Sequence, residues 1–463
     1  MTITITWIVA FVVIVGIGLL AGKSMSSDKQ WSGGDKTLGV LEIGCVLGAW
    51  QIGGMSVVGA AQNGYTMGIA GSWYSVAGAV YFLVAAALAK LLRDNMPGDS
   101  VPEYLEKRYA KTNARLYSYI WVVLGFIYIP VQLKTVAAVI QIAVPGLSTN
   151  LAIVAGLCIA TIYTAFSGMK GAASVGKIVC IGIYVLLIGF VVVTLPKFNG
   201  YSGLVASLPA GYGNMSSMPT QKWVGWLISG ILASIVMQSV LQPIMAAKDE
   251  KAAQGGCLIG YVFSAPICII TAMIGMMGRA TTDKLGNGAT AFAWTIKEYS
   301  NPILAGIIFA ISTMIIAATM ATMMMATGTI IKNIYKDQIN PQASDKKLLN
   351  LSRYGTLVFS FLTLIPAFIL PSAAIVTTFQ IMIQCSTGPI SFSILAGLLW
   401  RRANKQGSLA SMISGVIVGL VWVATGMSSK LETVYAVTVV SYIVGITVTL
   451  LTAKSNDGCV KVK

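Results

Sequence analysis

Histidine is absent from the 463 residues, and charge is scarce: Asp, Glu, Lys and Arg together make only 10% of the chain. An ordinary soluble domain carries about 25%, so this composition cannot build a water-facing surface of normal size. Only 15 residues are acidic, and none falls in the middle of a long apolar run. Without histidine, an acid pair or a nucleophile motif, the chain lacks the usual equipment of an enzyme. Cysteine is thin as well. Six of its seven occurrences stand singly in apolar runs and Cys459 lies in the tail, with no CxxC spacing. Disulfides, zinc and a cofactor are therefore not expected.

What the chain has is apolar length. Hydrophobic residues make 56% of it, the signature of an all-α polytopic membrane protein embedded in a lipid bilayer. Stretches long enough to cross fall at about 3–22, 38–63, 69–93, 114–143, 149–167, 172–195, 222–247, 254–279, 302–331, 351–370, 373–400, 406–426 and 432–452. That predicts thirteen spans. The first has no basic start and no small-residue cleavage site, so it reads as a retained span rather than a signal peptide. The net charge of +16 would suit nucleic acid in a soluble chain. Here 23 Lys and Arg fall in one set of alternate loops, with 6 in the other. The positive-inside rule puts the rich set in the cytoplasm, which explains the charge without nucleic acid. It predicts a multi-pass cell-membrane protein with its N-terminus outside and C-terminus cytoplasmic. The outer loops near 197–221 and 280–301 have room for short surface helices, and Pro97 to Lys111 has the pattern of a short amphipathic cytoplasmic helix capped by Ser100, although a plain solvated connector is the favoured reading.

Two spans have disturbed middles. The second reads L-G-A-W-Q-I-G-G-M-S, and adjacent Gly53 and Gly54 each weaken a helix by about 1 kcal/mol relative to Ala. The seventh holds Ser229, Gly230, Ser234, Gln238, Ser239 and Gln242, followed by Pro243. Each permits two readings: a discontinuous helix lining a wet site, or close packing and interhelical hydrogen bonds through small and polar residues. The two lie five spans apart, as two five-helix repeats, 38–195 and 222–400, would place them. Residues 3–22 would then be an extra helix and 406–452 two C-terminal ones.

Two lysines lie within spans. Lys177 sits in the apolar run after S-G-M-K-G-A-A-S, and a charge there faces a cavity, pairs or does chemistry. No carboxylate is expected as its partner; snorkelling to an interface is the alternative. Lys134, beside Gln132 in the fourth span, would pair with an anionic substrate or reach a watery vestibule. The run Met320 to Met325 reads as adaptable packing.

Several motifs resemble the solute:sodium symporter family. They are G-G-D-K-T-L-G at 33–39, A-W-Q-I-G-G-M-S-V-V-G-A-A-Q-N-G-Y at 49–65, Q-S-V-L-Q-P-I-M-A-A-K at 238–248 and K-N-I-Y-K at 332–336. Pro243 stands where the family has Arg. The resemblance implies a LeuT-type core of ten helices in a 5+5 inverted repeat, with one helix before and two after. It also implies an ion site between the Ala49 and Ile52 carbonyls and hydroxyls of the ninth span. Counted without gaps from N-I-Y-K, those hydroxyl positions fall on Ala317 and Ala318, which carry none; a one-turn gap would bring in Thr322. The family's Thr-Asp in the sixth span falls on Val175 and Gly176, with Lys177 next. Sodium-independent carriers of this core place a lysine amine where the ion would be, and an ammonium suits exposed carbonyls.

The resulting expectation is a secondary transporter of a small polar, anionic or zwitterionic, carboxylate-bearing solute. Lys177 would replace the sodium, making transport proton-coupled or uniport. The alternative is a sodium symporter using Thr319 or Thr322. A different class, a solute sensor built on the same core, would carry a signalling domain, and the tail here is short. The expected lining is Gln51, Gly53, Gly54 and Met55, with Trp73 and Tyr74, Lys134, Gln238, Ser239 and Gln242, and Gln380 and Gln384.

Overall fold

The computed structural model describes residues 1–22, 36–96, 100–369 and 375–452. The first residues of the 33–39 motif, the basic residues Lys23 and Lys29, and Cys459 lie outside that set. Among the described residues there are helices and turns but no strand, only an isolated bridge between Leu38 and Ala247.

The helices are α1 (Thr2–Gly22), α2 (Val40–Gln51), α3 (Ala60–Met67), α4 (Trp73–Gly78), α5 (Val80–Asn95), α6 (Val101–Arg108), α7 (Lys111–Ala143) and α8 (Thr149–Thr194). They continue with α9 (Thr220–Val236), α10 (Gln238–Met245), α11 (Glu250–Ser264), α12 (Ile267–Thr281), α13 (Pro302–Gln338), α14 (Asp345–Leu362), α15 (Ile375–Leu399), α16 (Lys405–Ala424) and α17 (Thr433–Thr452). Short helices at Gly200–Ala206 and Ala291–Tyr299 occupy the two long loops.

Local sequence sets many of these starts. Asp249, Asn301, Ser344 and Asn404 each accept a backbone N–H in the first turn of the helix that follows, which satisfies one of the orphan donors there. Ser100 does precede α6, but its hydroxyl accepts from Asn333 across to α13 instead.

Among the described residues, nine helices are long and apolar enough to cross a membrane, or ten if α9 and α10 count as one bent span. Three further expected spans appear only as shorter apolar helices, Thr2–Ile17, Val40–Gln51 and Thr149–Thr161. Length alone therefore does not establish thirteen.

The expected fifth and sixth spans are joined without a helical break in the 46 residues of α8. At 1.5 Å per residue a straight helix of that length would be about 69 Å, more than twice the hydrocarbon thickness. Along its length it lies antiparallel to α13. Thr164 lies against Met324, while Gly182, further along, lies against Ile311, nearer the start of α13.

The centre is held by helices that meet backbone to backbone. Gly44 on α2 faces Gly256 on α11, while Gly48 takes Phe263 and Gly260 takes Leu47 across the same crossing of small residues, and a Cβ on Gly44 would stand 3.2 Å from the Gly256 carbonyl. On the neighbouring pair, a Cβ at Gly275 of α12 would stand 1.9 Å from the Ala61 carbonyl of α3. Backbone cannot step aside as a side chain can. Gly275→Val is therefore expected to cost about 3 kcal/mol, read as a lowered midpoint of thermal unfolding in detergent.

Candidate functional site

The second span breaks where its sequence weakens it. α2 ends at Gln51, Ile52 leaves helical geometry (φ −81°, ψ 46°), and a π turn at Met55–Gly59 leads into α3. The backbone groups released there are taken up by side chains. Gly54 N–H donates to Gln132 Oε1 at 2.9 Å, and Gln132 Nε2 donates to the Tyr128 hydroxyl at 2.8 Å. Thr271 Oγ1 donates to the Ser56 carbonyl at 2.7 Å. Thr319 Oγ1, from α13, donates to the Ala49 carbonyl at 2.7 Å and lies 3.0 Å from the Ile315 carbonyl.

The glycines are required by this crowding. A Cβ on Gly53 would stand 2.5 Å from Thr319 Oγ1, and one on Gly54 1.8 Å from Thr135 Oγ1. Both readings of the pair hold together: the helix is discontinuous, and the glycines admit the side chains that satisfy it.

The seventh span also breaks, at Met237 (φ −77°, ψ 113°), where α9 and α10 meet at 47°. Tyr117 donates to the Val236 carbonyl at 2.8 Å. Pro243, the residue with the obvious breaking chemistry, sits inside α10, six positions later.

Between the two breaks lies a cavity of about 50 Å³. Gln51, Gly53 and Met55 reach it from the first break, and Met237 and Val240 from the second. Six aromatic rings surround it: Trp50, Tyr74, Tyr81, Tyr128, Trp226 and Phe379. They pack on one another, with Trp50 stacked on Tyr128 at 5.2 Å and Phe379 at 5.3 Å from Tyr128. The polar groups are neutral: Gln132, Gln380, Ser229 and Gln51, whose Oε1 accepts from the Tyr81 hydroxyl at 3.0 Å. The Ser229 hydroxyl is buried without a protein partner. No charged side chain appears among the described residues of the lining.

Of the expected lining, Gln51, Gly53, Met55, Tyr74 and Gln380 meet at this cavity, with Gly54 directly behind it. The others are placed elsewhere. Trp73 stacks on Trp223 at 4.6 Å and donates to the Met215 carbonyl. Gln238 accepts from Val101 N–H, and Gln242 donates to Thr329. Ser239 is buried in α10, outside the lining. Gln384 donates to Glu432. Lys134 is turned away because Gln132 and Thr135 face the break; at 100° per residue, Lys134 is rotated about 100° from Thr135.

Tyr81, Tyr128, Gln132, Trp226, Ser229 and Phe379 were not expected there. A signal existed for some of them, since Tyr128 with Gln132, and Phe379 with Ile383, recur one turn apart on one helical face.

Residues 32–415 match the Sodium:solute symporter family. The chain belongs to that family. The symporter is 24% identical over 426 residues to the uncharacterized symporter YodF of Bacillus subtilis (strain 168), covering 88% of this chain and 84% of that one. It is 23% identical over 452 residues to the sodium/glucose cotransporter of Vibrio parahaemolyticus, covering 87% and 82%. Among solved structures, it superposes on the substrate-bound outward-open state of a Na+-coupled sialic acid symporter with a TM-score of 0.82, at 14% identity, covering 100% and 99%. The fold is thus LeuT-like, and the symporter is a multi-pass membrane transporter.

The ion-site expectations need correction. Lys177 does not reach the Ala49 and Ile52 carbonyls. Its ammonium pairs with Glu42, in the first turn of α2. Gly176 and Cys180 pack against the Cys45 carbonyl, so Lys177 enters about one turn short of Ala49 and its side chain runs the other way. It is 36% exposed, in keeping with a lysine that snorkels to the end of its span. Ala317 and Ala318 are buried and carry no hydroxyl, and the Thr322 hydroxyl bonds the Ala318 carbonyl of its own helix. The group at the break is Thr319.

Proposed function

We propose that this symporter couples sodium to the uptake of a small uncharged or zwitterionic polar solute, bound in the cavity between the two helix breaks. The observation that carries the proposal is the Thr319 hydroxyl set against the Ala49 carbonyl across the first break. A hard cation takes oxygen ligands, and here a carbonyl and a hydroxyl already converge. The hydroxyl proton has a second acceptor in the Ile315 carbonyl, and turning there releases the Ala49 carbonyl, so that both oxygens face an ion. The sodium/glucose cotransporter among the relatives supports sodium as the coupling ion.

The solute assignment departs from a net anion. Aromatic faces attract a cationic group, and the positive end of a half-helix dipole attracts a carboxylate. A zwitterion can use both, and a neutral solute needs only the glutamines and Ser229. We take 38–195 and 222–400 as the two repeats, with the N-terminus outside and the basic loops in the cytoplasm.

The test is uptake into proteoliposomes of radiolabelled proline, glucose and pantothenate, in sodium and with choline replacing it. Choline should lower uptake at least tenfold at every pH. Lys177→Met should keep that dependence, because a partly exposed ion pair contributes only about 0–1 kcal/mol. Undiminished pH-driven uptake in choline, lost in Lys177→Met, would restore the lysine to the ion's role.

A further inference from the structure

Glu432 stands just before α17, half-buried and behind the cavity lining rather than in it. Its Oε2 accepts from Gln384 Nε2 at 2.6 Å, and the Trp226 indole exerts an electrostatic pull on its carboxylate. Gln384 is completely buried, and its own oxygen accepts from Val434 N–H at 3.2 Å. One turn before it on α15 is Gln380, which lines the cavity, as does Trp226 on α9. Gly225 makes the approach possible, since a Cβ there would stand 2.7 Å from the Glu432 Cβ.

We infer that Glu432 is a positioning residue that holds the α9 wall, packed on it at Gly225 next to Trp226, to the α15 wall, through Gln384, and that its charge state sets how firmly that end of the cavity is shut. Hydrogen bonds to an ionised acceptor are roughly twice as strong as neutral ones. A protonated carboxyl turns one of its oxygens into a donor and loses its charge, so it holds the Gln384 amide less firmly.

Burial raises the proton affinity of Glu432 above the ordinary carboxylate range, with Gln384, Lys222 and Trp226 pulling the other way. The sign follows. The ionised, fastening form predominates at high pH, and the fastening loosens as pH falls through a midpoint higher than that of a free glutamate. The titratable groups facing Glu432 are Lys222 from α9, 5.6 Å over the Trp226 ring, and Tyr435 from α17; α15 presents the neutral Gln384.

The consequence for transport rests on the cavity being the solute site, but the test does not. Acrylamide quenching of Trp226, taken as the difference between the full chain and Trp226→Phe in nanodiscs, reports how open this end is. Quenching should be low at neutral pH and rise at least twofold on acidification. Glu432→Ala should show the raised value at neutral pH, and Glu432→Gln should lose the pH dependence. Wild-type quenching in a folded Glu432→Ala, or an unchanged pH profile in Glu432→Gln, overturns the inference; if Glu432→Ala does not fold, the Gln profile alone decides. Failure of the solute-site reading would instead appear as unchanged uptake in cavity variants.

Discussion

Gly54→Ala should all but abolish uptake. The added Cβ would stand 1.8 Å from Thr135 Oγ1 and 2.6 Å from Gln132 Oε1. Both side chains would have to shift, and Gln132 is the acceptor for the Gly54 N–H. Overpacking costs about 1–3 kcal/mol, and stranding a buried amide about 1–3 kcal/mol more. The lower sum already exceeds tenfold in an equilibrium constant. The variant is expected to lose at least tenfold in uptake rate and to unfold at lower temperature. The double variant Gly54→Ala with Thr135→Ala removes the nearest obstruction, so part of the loss should return. Strict additivity of the two changes would mean that the crowding seen between them is not the cause.

Thr319→Val should raise the sodium concentration for half-maximal uptake at least tenfold. The substitution keeps the shape of the side chain and removes its oxygen. It therefore takes away one ion ligand and leaves the buried Ala49 carbonyl without its partner, a penalty of about 1–3 kcal/mol. Thr319→Ser should stay within a few-fold of wild type. Thr322→Val is the control: that hydroxyl, nearly one turn further along, bonds its own helix and should change sodium dependence little. Equal losses at the two positions would remove the reason for placing the ion at Thr319.

The membrane class and the first broken helix were legible because their causes are local. Apolar length declares a span, and two adjacent glycines declare a weak point. The second break was legible only as a polar region, because nothing at Met237 marks it. Tertiary partners such as Tyr117 make an extended residue affordable there, while Pro243 is tolerated inside the next helix.

The cavity was half legible for a related reason. Gln51 and Gln380 project into it, whereas Gln238, Gln242 and Gln384 spend their amides on neighbouring helices, and no sequence pattern separates the two uses. Lys177 was misread through a boundary effect. No acid lies mid-span, as the sequence says, but Glu42 occupies the first turn of α2, within reach of a long side chain entering from another span. Thr319 was displaced from the expected pair by one or two positions on α13, a shift that an ungapped count from N-I-Y-K cannot detect.

The isolated bridge between Leu38 and Ala247 has a mechanical meaning. Leu38 N–H donates to the Ala246 carbonyl, and Lys248 N–H donates back to Leu38. The entry to α2 is thereby riveted to the exit from α10, and Arg93 clamps the same exit through the Ile244 and Ala247 carbonyls. The two interrupted spans thus share an anchorage at the end opposite their breaks. A movement that swings one half-helix should carry the other with it, so the pair is expected to behave as one lever with two flexible joints.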